Sequence, residues 1–569
     1  MSPHAAARST AVFWGCAAAL LFIHLGLTAA WQSEDRWLEV VREMMASGDY
    51  LQPRLNGELY FDKPLLSYWL IAGFAHLRGV LDEWALRVPS ALAGLAVLWA
   101  TRDLGERMVG IEAIHRCGWI LLTSFGFLQW ARLGEADMEN LAACTLAVAW
   151  YWRQRDATRF TDYLVFYLIL CIGAQCKGLT AVVVPLLVVL PDLVYGGRWR
   201  RHLRWTHVGA GLIAVALYFV PFLLSPHGGV GLGGHTGGGL GLVLRENIVR
   251  YFAPFDHNEP PYTYLIALPQ YLFPWSLVFV AAVYAALRGR FENPLVRRWL
   301  LPALVLLFAF FTLSGSRRNY YILPLLPYCV LLISAYLHER PRIRVLQCTA
   351  VLIALVALVL LAAPLVGLLA DGGRYAALLP LRTLLITMVL PALLVLAALA
   401  GLKGHWRSER RLLGACGAAT VLLCAGFFFM QQALLDRFRS EADFARELAV
   451  ALREHPGADI AVYREKPGGR LLFYGDLPVP LSVLRDPAAL ANYANGDGAE
   501  RVVLVYGKYR SELPDSLAAA PPLLRERSFP WEKNDRSKLQ AWLIPPSDHS
   551  SVRHTPHSTC IHSSLPRPC

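Results

Sequence analysis

The sequence predicts an α-helical polytopic membrane protein with a small α/β domain at its C-terminal end. Three observations predict it. Of the 569 residues, 56% are hydrophobic and 17% charged, against about 25% charged in an average soluble domain. Apolar runs long enough to cross a bilayer as helices recur along most of the chain. Residues 433–545 break that pattern: they alternate helix-like and strand-like segments and contain no cysteine. A soluble cytosolic protein, a disulfide scaffold and a disordered chain are excluded. The formal charge of +12 fits arginine-rich loops beside anionic lipid, and no nucleic-acid partner is expected.

The apolar segments number about thirteen: 12–31, 86–101, 117–131, 139–152, 162–176, 178–196, 207–224, 264–287, 299–314, 320–337, 346–370, 382–402 and 412–432. The first reads as an uncleaved anchor rather than a signal peptide, because its apolar region is long and more spans follow. Every second loop is basic. The series runs from Arg102, Arg107 and Arg116, through Arg153, Arg155 and Arg159 and Arg198, Arg200 and Arg201, to Lys403, Arg407 and Arg410. The positive-inside rule places these loops in the cytoplasm. It follows that the N-terminus is cytoplasmic and everything after residue 432 is outside, so residues 433–545 form an extracytoplasmic domain.

Two outer loops are long, 32–85 and 225–263. In the first, Trp37, Val40, Val41, Met44 and Met45 follow helical spacing, with Arg36, Glu39, Arg42 and Glu43 opposite. Such a helix lies in the membrane plane, and Ser47-Gly48-Asp49 ends it. Leu65–Leu77, after Pro64, is a second interfacial helix. The other long loop has nine glycines between residues 228 and 241; a flexible linker and a mobile flap are both open readings. Beyond Ser440–Glu454, a helical pattern, residues 459–463, 470–474, 501–505 and 539–544 read as strands. The tail 546–569 is rich in Ser, Pro and His and is expected to be disordered. Nine of the eleven cysteines lie in or beside apolar runs, and no Cys-x-x-Cys pair exists, so no cysteine zinc site is expected.

Charges gather at the outer loops and helix ends: Glu34 and Asp35, Asp62 and Lys63, Glu135 and Asp137, Lys177, Arg250, Arg317 and Arg318. Charges at membrane depth are costly and tend to be functional. Glu34 and Asp35 either complement the helix dipole or serve as a general base or as ligands to a divalent metal cation. The cations suit a phosphate carried on a lipid, and a nearby carboxylate can take a proton from an acceptor hydroxyl. More ordinary readings exist as well: Lys177 snorkelling to the interface, Arg317 and Arg318 anchoring headgroups, and Tyr320 and Tyr321 as belt aromatics. There is no Gly-x-x-x-x-Gly-Lys-Ser/Thr loop, so nucleotide hydrolysis is not expected. An enzyme facing outward needs a pre-activated lipid substrate.

Trp31-Gln32-Ser33-Glu34-Asp35-Arg36-Trp37, Tyr60-Phe61-Asp62-Lys63-Pro64, Arg87-Val88-Pro89-Ser90, Ala131-Arg132 through Asp137-Met138, Lys177-Gly178, Arg250-Tyr251 and Ser314 through Pro324 together carry a resemblance. The chain resembles the aminoarabinose transferases of the protein mannosyltransferase-like GT-C glycosyltransferases, over about residues 10–435. The resemblance implies transfer of a sugar from a polyprenyl-phosphate donor to an envelope acceptor (a glycolipid such as lipid A, a polysaccharide or a protein) at the outer face of the bacterial inner membrane. It implies that Lys63, Arg250 and Tyr321 lie around the donor phosphate and that Glu34, Asp35 and Asp137 are the catalytic acids, with Asp62, Lys177 and Arg317 in support. The first acidic motif of that family is usually Asp-Glu-x-Arg-Tyr. An ungapped match puts Ser33 at its Asp; a one-residue gap pairs Glu34 and Asp35 with the two acids. Two other classes stand beside this reading: a lipid transporter or flippase, which predicts two similar halves and midplane charges, and a non-catalytic scaffold.

Overall fold

The computed structural model describes residues 3–111, 113–225, 241, 244–253, 258–339, 343–370, 388–402, 404–427, 436, 439–496, 499–528, 532 and 534–546. Most of the glycine-rich stretch, residues 254–257 with His257, residues 382–387 and 428–432 of two expected spans, Lys403, and the tail from 547 lie outside them. The chain divides into two units. One is Met1–Ala442 with Gly468–Phe473; the other is Asp443–Pro467 with Tyr474–Cys569.

The first unit is helical. Helix α1 spans Pro3–Phe22, α2 Glu34–Ser47, α3 Leu66–Arg78 and α4 Glu83–Val109, with a short hairpin of β1 (Arg54–Leu55) and β2 (Glu58–Leu59) between α2 and α3. α1 ends nine residues before the expected boundary at 31. The carbonyls of Leu20 and Ile23 accept from the Arg132 guanidinium at 2.7 and 2.9 Å, which satisfies helix-end acceptors without a further turn. α2 stops where the Ser-Gly-Asp signal places it: Gly48 takes φ 71° and donates its N–H to Met44 O, an αL cap for which glycine is suited. The polar face of α2 is not simply solvated, however. Glu39 and Glu43 are buried; Glu39 pairs with Arg42, and Glu43 Oε2 accepts from the Gly57 N–H of the hairpin turn at 3.0 Å. α4 starts at Asp82, whose side chain caps the Ala85 N–H at 2.8 Å.

Next come α5 (Ala113–Leu122), α6 (Phe125–Trp130), α7 (Asp137–Arg153), α8 (Phe160–Cys176), α9 (Thr180–Tyr195) and α10 (Trp205–Leu224). The expected span 117–131 is therefore two helices, broken at Thr123, whose hydroxyl oxygen accepts from the Trp275 indole at 2.9 Å. The expected span 264–287 is also two, α11 (Thr263–Leu272) and α12 (Ser276–Leu287), bent by 119° at a break containing Pro274, which lacks an N–H. The series continues with α13 (Leu301–Leu313), α14 (Leu326–Glu339), α15 (Ile343–Ala370), α16 (Leu390–Ala400) and α17 (Glu409–Ala425). Among the described residues, five helices are long and apolar enough to cross a membrane, or six if α11 and α12 form one span. Many of the other segments read from the sequence are helices of 17 residues or fewer.

The core explains which helix sits where. Val330, Leu331, Leu332 and Ile333 of α14 are fully buried, making α14 central. α10 instead exposes Leu212, Val215, Leu217 and Leu223, an outer face fit for lipid. Small residues allow the closest approaches. A Cβ on Gly173 of α8 would sit 2.4 Å from Ala143 Cβ and 2.7 Å from Ala181 Cβ.

In the second unit, β3 (Asp459–Tyr463), β4 (Ser482–Leu484), β5 (Arg501–Tyr506), β6 (Leu524–Arg525) and β7 (Leu539–Ile544) form a sheet ordered β4-β3-β5-β7-β6. β3 runs parallel to both β4 and β5, and β7 antiparallel to β5. Tyr463, Val503, Val505 and Trp542 form its core. Residues 470–474, expected as a strand, belong to the helix Gly469–Tyr474; a run of five apolar-rich residues carries no decisive period. The helix Ser440–Glu454 stands where its pattern places it.

Gly173→Val tests the packing of the first unit. It forces α7, α8 and α9 apart, and the expected outcome is a thermal midpoint in detergent lowered by several degrees, read by scanning fluorimetry, with a loss of about 1–3 kcal/mol from overpacking.

Candidate active site

The site is built around a buried ion pair. Glu34 at the start of α2 is fully buried, and Arg87 of α4 is 2% exposed. The guanidinium meets the carboxylate through two hydrogen bonds of 2.8 Å. Its remaining N–H groups donate to the carbonyls of Leu25, Thr28 and Ala29. Glu34 also accepts from the backbone N–H of Gly134 at 2.6 Å and of Trp31 at 2.9 Å. Burial alone would raise its carboxyl, but Arg87 and these N–H groups hold it below the usual carboxylate value. Four segments converge on this pair: the chain after α1, the first turn of α2, the second turn of α4 and the loop before α7.

That loop is held at every step. Arg132 donates to Leu20 and Ile23 carbonyls. Gly134 N–H is on Glu34, and a Cβ there would fall 2.3 Å from Leu86 Cγ. The Glu135 carbonyl accepts from Ser90 Oγ at 3.1 Å. Asp137 opens α7 and pairs with Lys177, the residue that ends α8.

Beside this framework lies a cavity of about 610 Å³, within the range of small-ligand sites. Ser33, Arg36, Asp62, Lys63, Glu135, Asp137, Lys177, Arg250 and Tyr321 all line it. Four cations thus face three carboxylates. Lys63 and Asp62 pair at 3.0 Å. Arg36 donates to Tyr60 Oη at 2.7 Å. Lys177 Nζ lies 5.3 Å from the ring centroids of both Tyr320 and Tyr321, a cation–π geometry. Val183, Ile248, Phe252 and Phe310 add an apolar lining.

The comparisons agree with this architecture. Residues 62–224 match the family model described as dolichyl-phosphate-mannose-protein mannosyltransferase. An undecaprenyl phosphate-alpha-4-amino-4-deoxy-L-arabinose arabinosyl transferase of Pseudomonas fluorescens is 27% identical over 316 residues, which is 52% of each chain. A second from that species is 30% identical over 331 residues, 55% of this chain and 54% of that protein. The chain spans about half the length of these relatives. The crystal structure of ArnT from Cupriavidus metallidurans bound to undecaprenyl phosphate superposes with a TM-score of 0.71 at 20% identity, over 95% of this chain and 98% of that one. Its apo form gives 0.69 at 21% identity, over 94% and 98%.

The fold is the GT-C fold of ArnT. Within it, the sites read from the sequence fall into two groups. Asp62, Lys63, Asp137, Lys177, Arg250 and Tyr321 converge on one cavity. Glu34, Asp35 and Arg317 do not line it. Glu34 is sealed against Arg87. Asp35 accepts from the N–H groups of Arg36 and Arg470 at 2.9 and 3.1 Å, and burial raises its carboxyl. Arg317 donates to the backbone carbonyls of Glu259, Thr312 and Ser314, so it ties its own loop to the segment before α11. The cavity-facing residue of the first motif is Ser33. Glu135 is a cavity residue that the sequence reading did not place among the site acids, although Gly134-Glu135-Ala136-Asp137 shows two carboxylates two apart. Among the described residues, no three His, Cys, Asp or Glu side chains are grouped to hold a metal ion.

Because Glu34 and Arg87 are both buried, removing either partner leaves a charge without compensation. Glu34→Gln and Arg87→Met should each cost about 3–5 kcal/mol, seen as an early thermal midpoint and poor recovery in detergent. Asp35→Asn, in a partly exposed site, should change the midpoint little.

Proposed function

We propose that this chain is an integral-membrane glycosyltransferase. It moves a sugar from a polyprenyl-phosphate donor, the donor class in the names of its relatives, to an envelope acceptor such as lipid A. One observation carries the reading: Lys63, Arg250 and Lys177 share with Tyr321 a cavity that also has an apolar lining. A lipid monophosphate needs both, cations for its headgroup and hydrocarbon-compatible walls for its chain.

In this scheme Lys63 and Arg250, with the Tyr321 hydroxyl, hold the phosphate as negative charge develops on the leaving oxygen. Asp62 fixes Lys63, and the Asp137–Lys177 pair fixes the polar wall opposite. The acceptor hydroxyl attacks the anomeric carbon from the side away from the phosphate, which inverts the configuration. The basic loops support about thirteen spans, with the N-terminus in the cytoplasm and the cavity and the sheet unit on the periplasmic side of the inner membrane.

The test is native mass spectrometry of the purified protein with undecaprenyl phosphate. Saturable binding is expected in wild type and is expected to fall at least tenfold in Lys63→Ala, about 1.4 kcal/mol or more. Absence of selective binding in wild type overturns the proposal and brings a transporter or scaffold forward. Asp137→Asn, which frees Lys177 from its partner, is expected to reduce turnover strongly.

A further inference from the structure

Three carboxylates line the cavity: Asp62, Asp137 and Glu135. The first two are committed, Asp62 to Lys63 and Asp137 to Lys177. Glu135 forms no salt bridge with any of the described residues. Its Oε1 accepts from the Ser33 hydroxyl at 2.6 Å, and its Oε2 accepts no hydrogen bond from them. Its backbone is clamped on both sides, by the Gly134 N–H on Glu34 and by Ser90 Oγ on its own carbonyl. The side chain therefore projects into the cavity from a fixed point, with one oxygen held and one open.

We infer that Glu135 is the catalytic carboxylate that takes the acceptor's proton, and that Ser33 is its positioning residue. The inference rests on the transferase reading above and adds the identity of the base. The bond from the anomeric carbon to the phosphate oxygen breaks, and its electron pair stays on the phosphate beside Lys63 and Arg250. The acceptor oxygen forms the new bond to that carbon and gives up its proton to Glu135 Oε2. The proton then passes to water. Asp137 and Asp62 are each engaged in an ion pair with a lysine.

The electrostatics agree with the geometry. Burial, then the nearby Asp137 and Glu34 charges, push the Glu135 carboxyl up to about 7, while the Ser33 hydrogen bond and Lys177 act in the opposite direction. A carboxylate with that affinity accepts a proton readily near neutral pH and returns it as readily. Glu34 and Asp35 have no such access: one is sealed by Arg87 and the other lies off the cavity. Ser33 stands where the resemblance expects an aspartate, so the carboxylate missing at position 33 is supplied across the hydrogen bond by residue 135.

The test uses the full chain in detergent, with undecaprenyl-phosphate 4-amino-4-deoxy-L-arabinose as donor and lipid A as acceptor. Binding of undecaprenyl phosphate is measured in parallel by native mass spectrometry. Glu135→Gln is expected to lose on the order of 100-fold in kcat, with KM and undecaprenyl phosphate affinity within about twofold of wild type. Ser33→Asp placed in the Glu135→Gln background is expected to restore at least a tenth of the turnover, an effect that a merely structural role for Ser33 does not produce. Full turnover in Glu135→Gln overturns the inference and leaves the transferase reading standing. Wild type that binds undecaprenyl phosphate without turnover, and gains turnover with Ser33→Asp alone, also overturns it and returns the base to position 33. Wild type that neither binds nor turns over overturns both readings.

Discussion

The Glu34–Arg87 pair is the constraint on which the cavity-bearing end of the helical unit depends. A buried guanidinium and carboxylate both lose hydration, and an ion pair recovers that loss only if the remaining donors and acceptors are also filled. Here they are filled by backbone from three other places: the carbonyls after α1, the N–H of Trp31 and the N–H of Gly134. The pair is thus a junction rather than a local contact. It sets where α1 stops, how α2 leaves it and where the loop before α7 must run. No apolar substitute would satisfy so many backbone groups at once.

What the junction positions is a set of charges. Ser33 precedes Glu34, and Glu135 follows Gly134, so the two residues next to the clamp are presented to the cavity. The other charges arrive from independent elements: Asp62 and Lys63 from the chain between the hairpin and α3, Asp137 from the start of α7, Lys177 from the end of α8, Arg250 from after the glycine-rich stretch, and Tyr321 from before α14. A site assembled from many elements has little freedom to drift. Its charges are also largely balanced in pairs. Pairing lowers the cost of keeping ions at membrane depth while leaving a small cationic excess for an anion.

Much of this was legible in the sequence. Apolar runs of bilayer length, the position of Ser440–Glu454 and the amphipathic face of α2 follow from periodicity. The Gly48 cap follows from the chemistry of Ser-Gly-Asp. The convergence of Lys63, Asp137, Lys177 and Arg250 was legible because charged residues in an apolar chain are few and conspicuous, whereas Tyr321 was pointed out by the family resemblance alone. Three kinds of feature were not. Broken helices such as α5–α6 and α11–α12 keep their apolar composition through the break, so hydropathy passes over it. Residues 470–474 are too short a run for a helix period to separate from a strand period. Two adjacent acids, Glu34 and Asp35, look alike in sequence, and only the position of Arg87, fifty-three residues on, decides that one of them is sealed.

At an adjacent pair of acids, the eye goes to the carboxylates, and the serine before them looks like a loss. In the folded chain the order of importance is reversed. The carboxylate of Glu34 does electrostatic work on the framework and is held ionised by Arg87, so it is a poor proton acceptor. The serine faces the cavity and holds a glutamate from another loop by a hydrogen bond of 2.6 Å. A base needs a proton affinity near that of its surroundings and one open oxygen, and in this cavity both belong to the residue on the far side of the serine. A carboxylate displaced from one loop to another can keep its place relative to the cationic wall, because Lys63 and Arg250 are fixed by different elements and do not move with it.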